Sequence, residues 1–194
     1  MHKWLCLFFL LCGCQFIGTL YHIGDHVGTL ALDDRSMEDD WLDTQINVNI
    51  RQKFLSEKAS YVLDIEVTVF EGEVLLTGAI PSVYDMEQII DIVWQTPHVT
   101  KVYNYMRLEN PDYFVDSAKD ALAASSVRSS LMMTQDVRSV NYKLTVDDGV
   151  LYILGIAQNQ DEYQRVLDAA GNTTGITRIV SFVRPAYEDS PHFN

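Results

Sequence analysis

Beyond residue 14 the 194-residue chain has no cysteine; Cys6, Cys12 and Cys14 are all it contains. The body therefore holds no disulfide and no thiolate metal site, and it must stand on packing alone. Cations are scarce as well. Fourteen Lys and Arg face 27 Asp and Glu, a formal charge of −13. A protein that neutralises many phosphates needs a cationic surplus, so this balance argues against nucleic-acid binding. Ten glycines and five prolines are too few for a collagen-like or linker chain. No internal apolar run approaches the roughly 20 residues that span a bilayer. No GxGxxG or P-loop pattern occurs, which leaves nucleotide binding without support. What is present, 47% hydrophobic and 21% charged residues, is a globular balance.

The N-terminus carries an address. Met1-His2-Lys3 is a short basic start, Trp4 to Cys12 are nine uninterrupted apolar residues, and Gly13 precedes Cys14. That order reads as a secretory signal, too short for a transmembrane helix. Leu11-Cys12-Gly13-Cys14 resembles the bacterial lipobox. The resemblance implies a signal peptide over 1–13, a diacylglyceryl group on Cys14 and a lipid-anchored linker over 14–37. Cys12 stands where the motif usually has Ala, Ser, Thr or Val, and is itself a rival acceptor. Gln15 follows the cysteine. In Gram-negative lipoproteins Asp at that place retains the protein at the inner membrane, so the resemblance implies the periplasmic face of the outer one.

The rest is one unit written twice. Shifted by 77 residues, the chain falls on itself without a gap. Gly72-Glu73-Val74-Leu75-Leu76-Thr77-Gly78 meets Gly149-Val150-Leu151-Tyr152-Ile153-Leu154-Gly155, and Val99-Thr100-Lys101-Val102 meets Ile176-Thr177-Arg178-Ile179. Arg51 meets Arg128, and Arg107 meets Arg184. A long period occurring twice predicts two tandem small domains, 38–109 and 116–187, followed by a tail over 188–194.

Each copy reads helix, strand, strand, helix, strand. In the first, Leu42, Ile46, Ile50 and Phe54 recur every four residues from about Glu38 to Ser56, an amphipathic helix. Ile65, Val67 and Val69 alternate, Glu71-Gly72 turns the chain, and Val74-Leu75-Leu76 returns, which predicts a β-hairpin. Pro81-Ser82 opens a second helix whose buried side is Ile89, Ile90 and Val93, and a last strand runs from Thr100 to Leu108. The second copy predicts helices near Asp116 to Met133 and Gln160 to Asn172, with strands at Val140 to Val146, Val150 to Ala157 and Thr177 to Val183. The fold class is α+β: two αββαβ units, each a small mixed sheet with two helices on one face. At about 72 residues a core is marginal, so packing of the copies on each other would help both.

Two such units, each with an apolar strand ending in glycine and a later Val/Ile-x-Lys/Arg-Val/Ile strand, resemble BON domains over roughly 38 to 184. With the lipobox, the chain is similar to dual-BON outer-membrane lipoproteins of the DolP type. The resemblance implies a non-enzymatic protein that associates with phospholipid or membrane-bound partners and supports envelope integrity.

The residues offer little chemistry of their own. His2, His22, His26, His98 and His192 have no partner Ser or Cys of the kind a hydrolase needs. His22 and His26 have i, i+4 spacing, but Gly24 interrupts them, and no cofactor or metal is expected. The acid pairs Asp33-Asp34, Asp39-Asp40 and Asp147-Asp148 fall at a linker, a helix N-terminus and a turn, where carboxylates are favoured anyway. Gly78 and Gly155 admit either close approach of a ligand or a bend between strand and helix.

Charge separates the copies. Thirteen acids and five bases from Glu38 to Glu109 leave −8, and eight acids and seven bases from Asp116 to Tyr187 leave −1. Only the second copy can approach an anionic lipid surface without strong repulsion. Its first helix carries Lys119 and Arg128, and more apolar residues, Leu122, Met132 and Met133, than the core stripe of Ala124, Val127 and Leu131 needs. Lys119, Leu122, Arg128 and Met133 are the candidate membrane contacts; packing against the first copy is the other use for such residues. The rival reading is a periplasmic adaptor, whose acidic first copy docks a basic protein of the envelope-assembly machinery.

Overall fold

The computed structural model describes residues 37–186 apart from 111, 113 and 114, with side chains from residue 40 onward. The expected signal peptide, Cys12, Cys14, the expected linker up to residue 36, His22, His26 and the tail with His192 lie outside the described residues.

The four-residue recurrence of Leu42, Ile46, Ile50 and Phe54 runs down helix α1 (Met37–Glu57), and the last three are fully buried. A short helix that periodicity did not reveal, α2 (Ala59–Asp64), follows. Six residues are too few to display a 3.6-residue repeat. Its Tyr61 is buried edge-on against Phe54, ring centroids 6.0 Å apart. Strand β1 (Ile65–Phe70) turns at Glu71-Gly72, both at positive φ, into the antiparallel strand β2 (Glu73–Ile80), with Val67 opposite Leu76. Ser82 accepts from the Asp85 amide and so caps α3 (Val83–Trp94). After α3, β3 (Lys101–Leu108) lies parallel to β2, which places β2 at the centre of a mixed sheet.

The second module repeats this. Asp116 caps α4 (Ser117–Met133), β4 (Tyr142–Asp147) pairs antiparallel with β5 (Val150–Ala157), and α5 (Gln160–Gly171) leads to β6 (Arg178–Pro185), parallel to β5. Asn159 and Asn172 cap the two ends of α5. The strand expected from Val140 starts two residues later. Ser139–Asn141 form a 3-10 turn closed by the Asn141 amide on the Arg138 carbonyl at 2.9 Å, and Val140 is spent in it.

Helices cover one face of each sheet. Ile46, Ile50, Phe54, Ile89 and Val93 meet Val67, Val69, Val74 and Leu76; Ala123, Val127, Leu131, Val166 and Ala170 meet Leu144, Val146, Leu151 and Ile153. The opposite faces meet each other. Phe70 and Leu75 join Tyr152 and Leu154 in a third buried cluster, and Tyr103 stacks on Phe182 with centroids 4.0 Å apart. Burying each such side chain contributes roughly 1.5–3 kcal/mol. Thr68 and Thr145, 77 positions apart, share a 2.7 Å hydrogen bond, so repeat-equivalent strands meet where an approximate twofold axis would pass. Arg107 pairs with Asp147, and the repeat-equivalent Arg184 pairs with Glu71 at 2.5 Å. The layers run helix, sheet, sheet, helix.

Gly78 and Gly155 serve neither a ligand nor a simple bend. A Cβ on Gly78, at φ +116, would lie 2.1 Å from the Asp64 carbonyl; one on Gly155 would lie 2.4 Å from the Asn141 carbonyl. Each glycine lets the chain entering the module's first strand cross the central strand.

Candidate membrane-binding site

The α4 helix starts because the Asp116 carboxylate accepts the Lys119 amide at 3.1 Å, and it is held by Asp120, Ala123, Val127 and Leu131, all buried. Ala124 is half-buried beside them. Ala123, which the sequence reading passed over, is the residue in line with Ile46 of the first module. The remaining apolar side chains of α4 turn to solvent. Leu122 is 71% exposed, Met132 69% and Met133 86%, so none of them is buried against the first module. The sheet faces make that contact instead.

Leu122 and Met133, eleven residues or about three turns apart, lie on one side of α4 with Lys119 beside them. Arg128 does not join them. Nine steps of about 100° carry it round to the opposite flank from Lys119, towards Met132. There its charge acts on Glu66 of the first module, together with Arg51, its own repeat equivalent. Burial pushes the Glu66 carboxyl up, while a 3.4 Å hydrogen bond from the Thr145 hydroxyl and the two guanidiniums pull it back. Arg128 thus stands off the patch, which is formed by Lys119, Leu122 and Met133.

The buried carboxylates are committed to the scaffold. Asp43 accepts the amides of Glu71 and Gly72 at 2.8 and 2.9 Å, and Asp120 accepts those of Asp148 and Gly149 at 2.7 and 2.9 Å. Each fastens a helix to its own hairpin turn. Asp85 is bound by Lys58, Tyr61 and Ser82, which hold its carboxyl down at about 2. Its repeat equivalent Glu162 accepts the amides of Arg138 and Gln158. Among the described residues no three His, Cys, Asp or Glu side chains are arranged to hold a metal. None of the described helices is long and apolar enough to cross a membrane.

Sequence reasoning missed the exposed apolar groups of the first module. Trp41, Val48 and Leu55 lie outward on α1, and Tyr84 and Trp94 on α3, each more than half exposed. The signal was there: all five fall off the core stripes of their helices.

The structure is two tandem α+β modules packed back to back with their helices outward. A family model described as the BON domain matches residues 42–110 and again 119–184. The chain belongs to the BON family, whose proteins are in general non-enzymatic and associate with phospholipid or membranes. It is 30% identical over 121 residues to an uncharacterised protein in the gshII 5' region of Anaplasma centrale, spanning 62% of this chain and 80% of that one. It is 22% identical over 165 residues to a 21 kDa hemolysin of Actinobacillus pleuropneumoniae, spanning 82% and 81%. CdsD, a structural protein of the type III secretion system of Chlamydia trachomatis, aligns at 12% identity over 73% of this chain and 93% of its own, with a TM-score of 0.32.

Proposed function

We propose that the protein is a dual-BON lipoprotein of the DolP type, anchored through Cys14 to the periplasmic face of the outer membrane. Its second module binds phospholipid or membrane-associated partners and so supports envelope integrity. The observation that carries this reading is the outward patch of Leu122 and Met133 beside Lys119, on the module whose charge is close to neutral. Apolar side chains at that exposure gain by entering the headgroup boundary, and a near-neutral module meets little repulsion there.

The anchor and the patch are tested separately. Cys14→Ser should abolish incorporation of a fatty-acid probe; continued labelling would move the acceptor to Cys12 or Cys6. The chain from Gln15 onward, which lacks any acyl group, should float with anionic vesicles. Replacing Leu122 and Met133 together by Asp should abolish flotation and leave the thermal midpoint unchanged, since outward side chains contribute little to the core. Undiminished flotation of that variant would remove α4 as the lipid face. A body that never floats would favour the adaptor reading.

A further inference from the structure

The outward edge of α3 carries Tyr84, Glu87, Asp91 and Trp94 at i, i+3, i+7 and i+10, a spacing that aligns them along one side of a helix over about 15 Å. Tyr84 is 68% exposed and Trp94 52%, and both carboxylates between them are exposed. Ser82, Asp85, Ile89 and Val93 tie the opposite edge of the helix to the module, so the ridge is not consumed by the fold. Among the described residues neither Glu87 nor Asp91 has a salt-bridge partner.

The repeat supplies an internal control. At the matching places α5 has Asp161, Gln164, Asp168 and Gly171, and it forms a helix of the same length, capped and buried at the equivalent positions. The two aromatic rings are therefore not needed to build the element. They stand on the module that carries −8, not on the one that carries −1.

We infer that the α3 ridge is a docking site for a basic protein segment, one that presents Lys or Arg side chains about a helical turn apart. Two carboxylates flanked by a Tyr and a Trp offer such a segment ion pairs in the middle and ring faces for cations at both ends. Exposed Tyr and Trp are also the residue types that most often anchor protein interfaces. An anionic membrane is disfavoured at this face, since Glu87 and Asp91 would be driven towards like charge. The inference names a face for the adaptor reading and is independent of the lipid patch on α4.

The probe is a fluorescein-labelled, alanine-based peptide with alternating Lys and Arg one turn apart, titrated against the full chain in dodecyl maltoside and read by anisotropy. Binding should weaken as salt rises. Tyr84→Gln with Trp94→Gln should weaken it roughly tenfold, as expected for two cation–π contacts. Glu87→Gln with Asp91→Asn should weaken it and flatten the salt dependence. Asp161→Asn with Asp168→Asn on α5 should change nothing. Equal binding by the wild type and both ridge variants overturns the inference, as does an equal loss in the α5 variant, which would mean attraction to charge at large. Self-association of the chain through the ridge, seen as a sedimentation shift that Trp94→Gln abolishes, would replace the basic segment by a second copy and also overturn it. All variants should keep the wild-type thermal midpoint, because α5 forms without these side chains.

Discussion

Asp43 and Asp120 occupy the same place in the two modules and do the same thing, each accepting two consecutive amides of its hairpin turn. A charged acceptor for two turn amides is among the stronger hydrogen-bonding arrangements, and it locks the first helix to the first hairpin. Nothing in the hydrophobic pattern announces it; in sequence the pair reads only as two more acids. Asp85 is a second such residue, and its environment makes a pH prediction. Hydrogen bonds from Lys58, Ser82 and Tyr61 hold it at about 2, below the ordinary value of about 3.9 for an unfolded Asp. A carboxyl depressed in the folded state stabilises at all pH above its unfolded value, and that contribution is lost as pH falls from about 4 to about 2. The thermal midpoint of Asp85→Asn should therefore lie below that of the wild type at pH 7, and the gap should close over that acid window. A gap constant down to pH 2 would mean that the ionised carboxylate is not what matters.

The strands show why most elements were legible and some were not. Val74 to Leu76 and Leu151 to Leu154 are uninterrupted apolar runs, and a run without alternation means cover on both faces. Helices supply one cover and the other module's sheet supplies the second. The central strands, the amphipathic helices and the turns at Gly72 and Gly149 thus follow from periodicity and turn chemistry. The short α2 and the 3-10 turn at Ser139–Asn141 did not, since three to six residues carry no period. Of the candidate contacts, Leu122 and Met133 were legible as apolar residues off the core stripe. Arg128 was grouped with them on charge, although nine steps of about 100° from Lys119 already carry it to the other flank of α4. Leu76 and Ile153 are fully buried on these central strands, so Leu76→Asp or Ile153→Asp should cost roughly 3 kcal/mol or more through an unpaired buried charge. Either variant should lose its cooperative thermal transition at the wild-type midpoint. An unchanged midpoint would overturn the register that pairs Val67 with Leu76 and Leu144 with Ile153.

At the scale of the whole molecule, duplication has been used twice. The shared sheet faces bury Leu75, Tyr152 and Leu154 in place of solvent, which gives two modules of marginal size a common third core. The outward helices have meanwhile diverged, with an acidic, aromatic ridge on α3 and a near-neutral module with apolar side chains on α4. In the proposed function α4 of the second module meets lipid and the outward helices of the first module do not. Because every cysteine lies at or before residue 14, the chain from Gln15 onward can be labelled at a single chosen place. An environment-sensitive NBD group attached through Met133→Cys should shift to the blue and brighten when anionic vesicles are added, while the same group attached through the outward Val48→Cys on α1 should not respond. No change at position 133, or an equal change at both positions, would contradict the account.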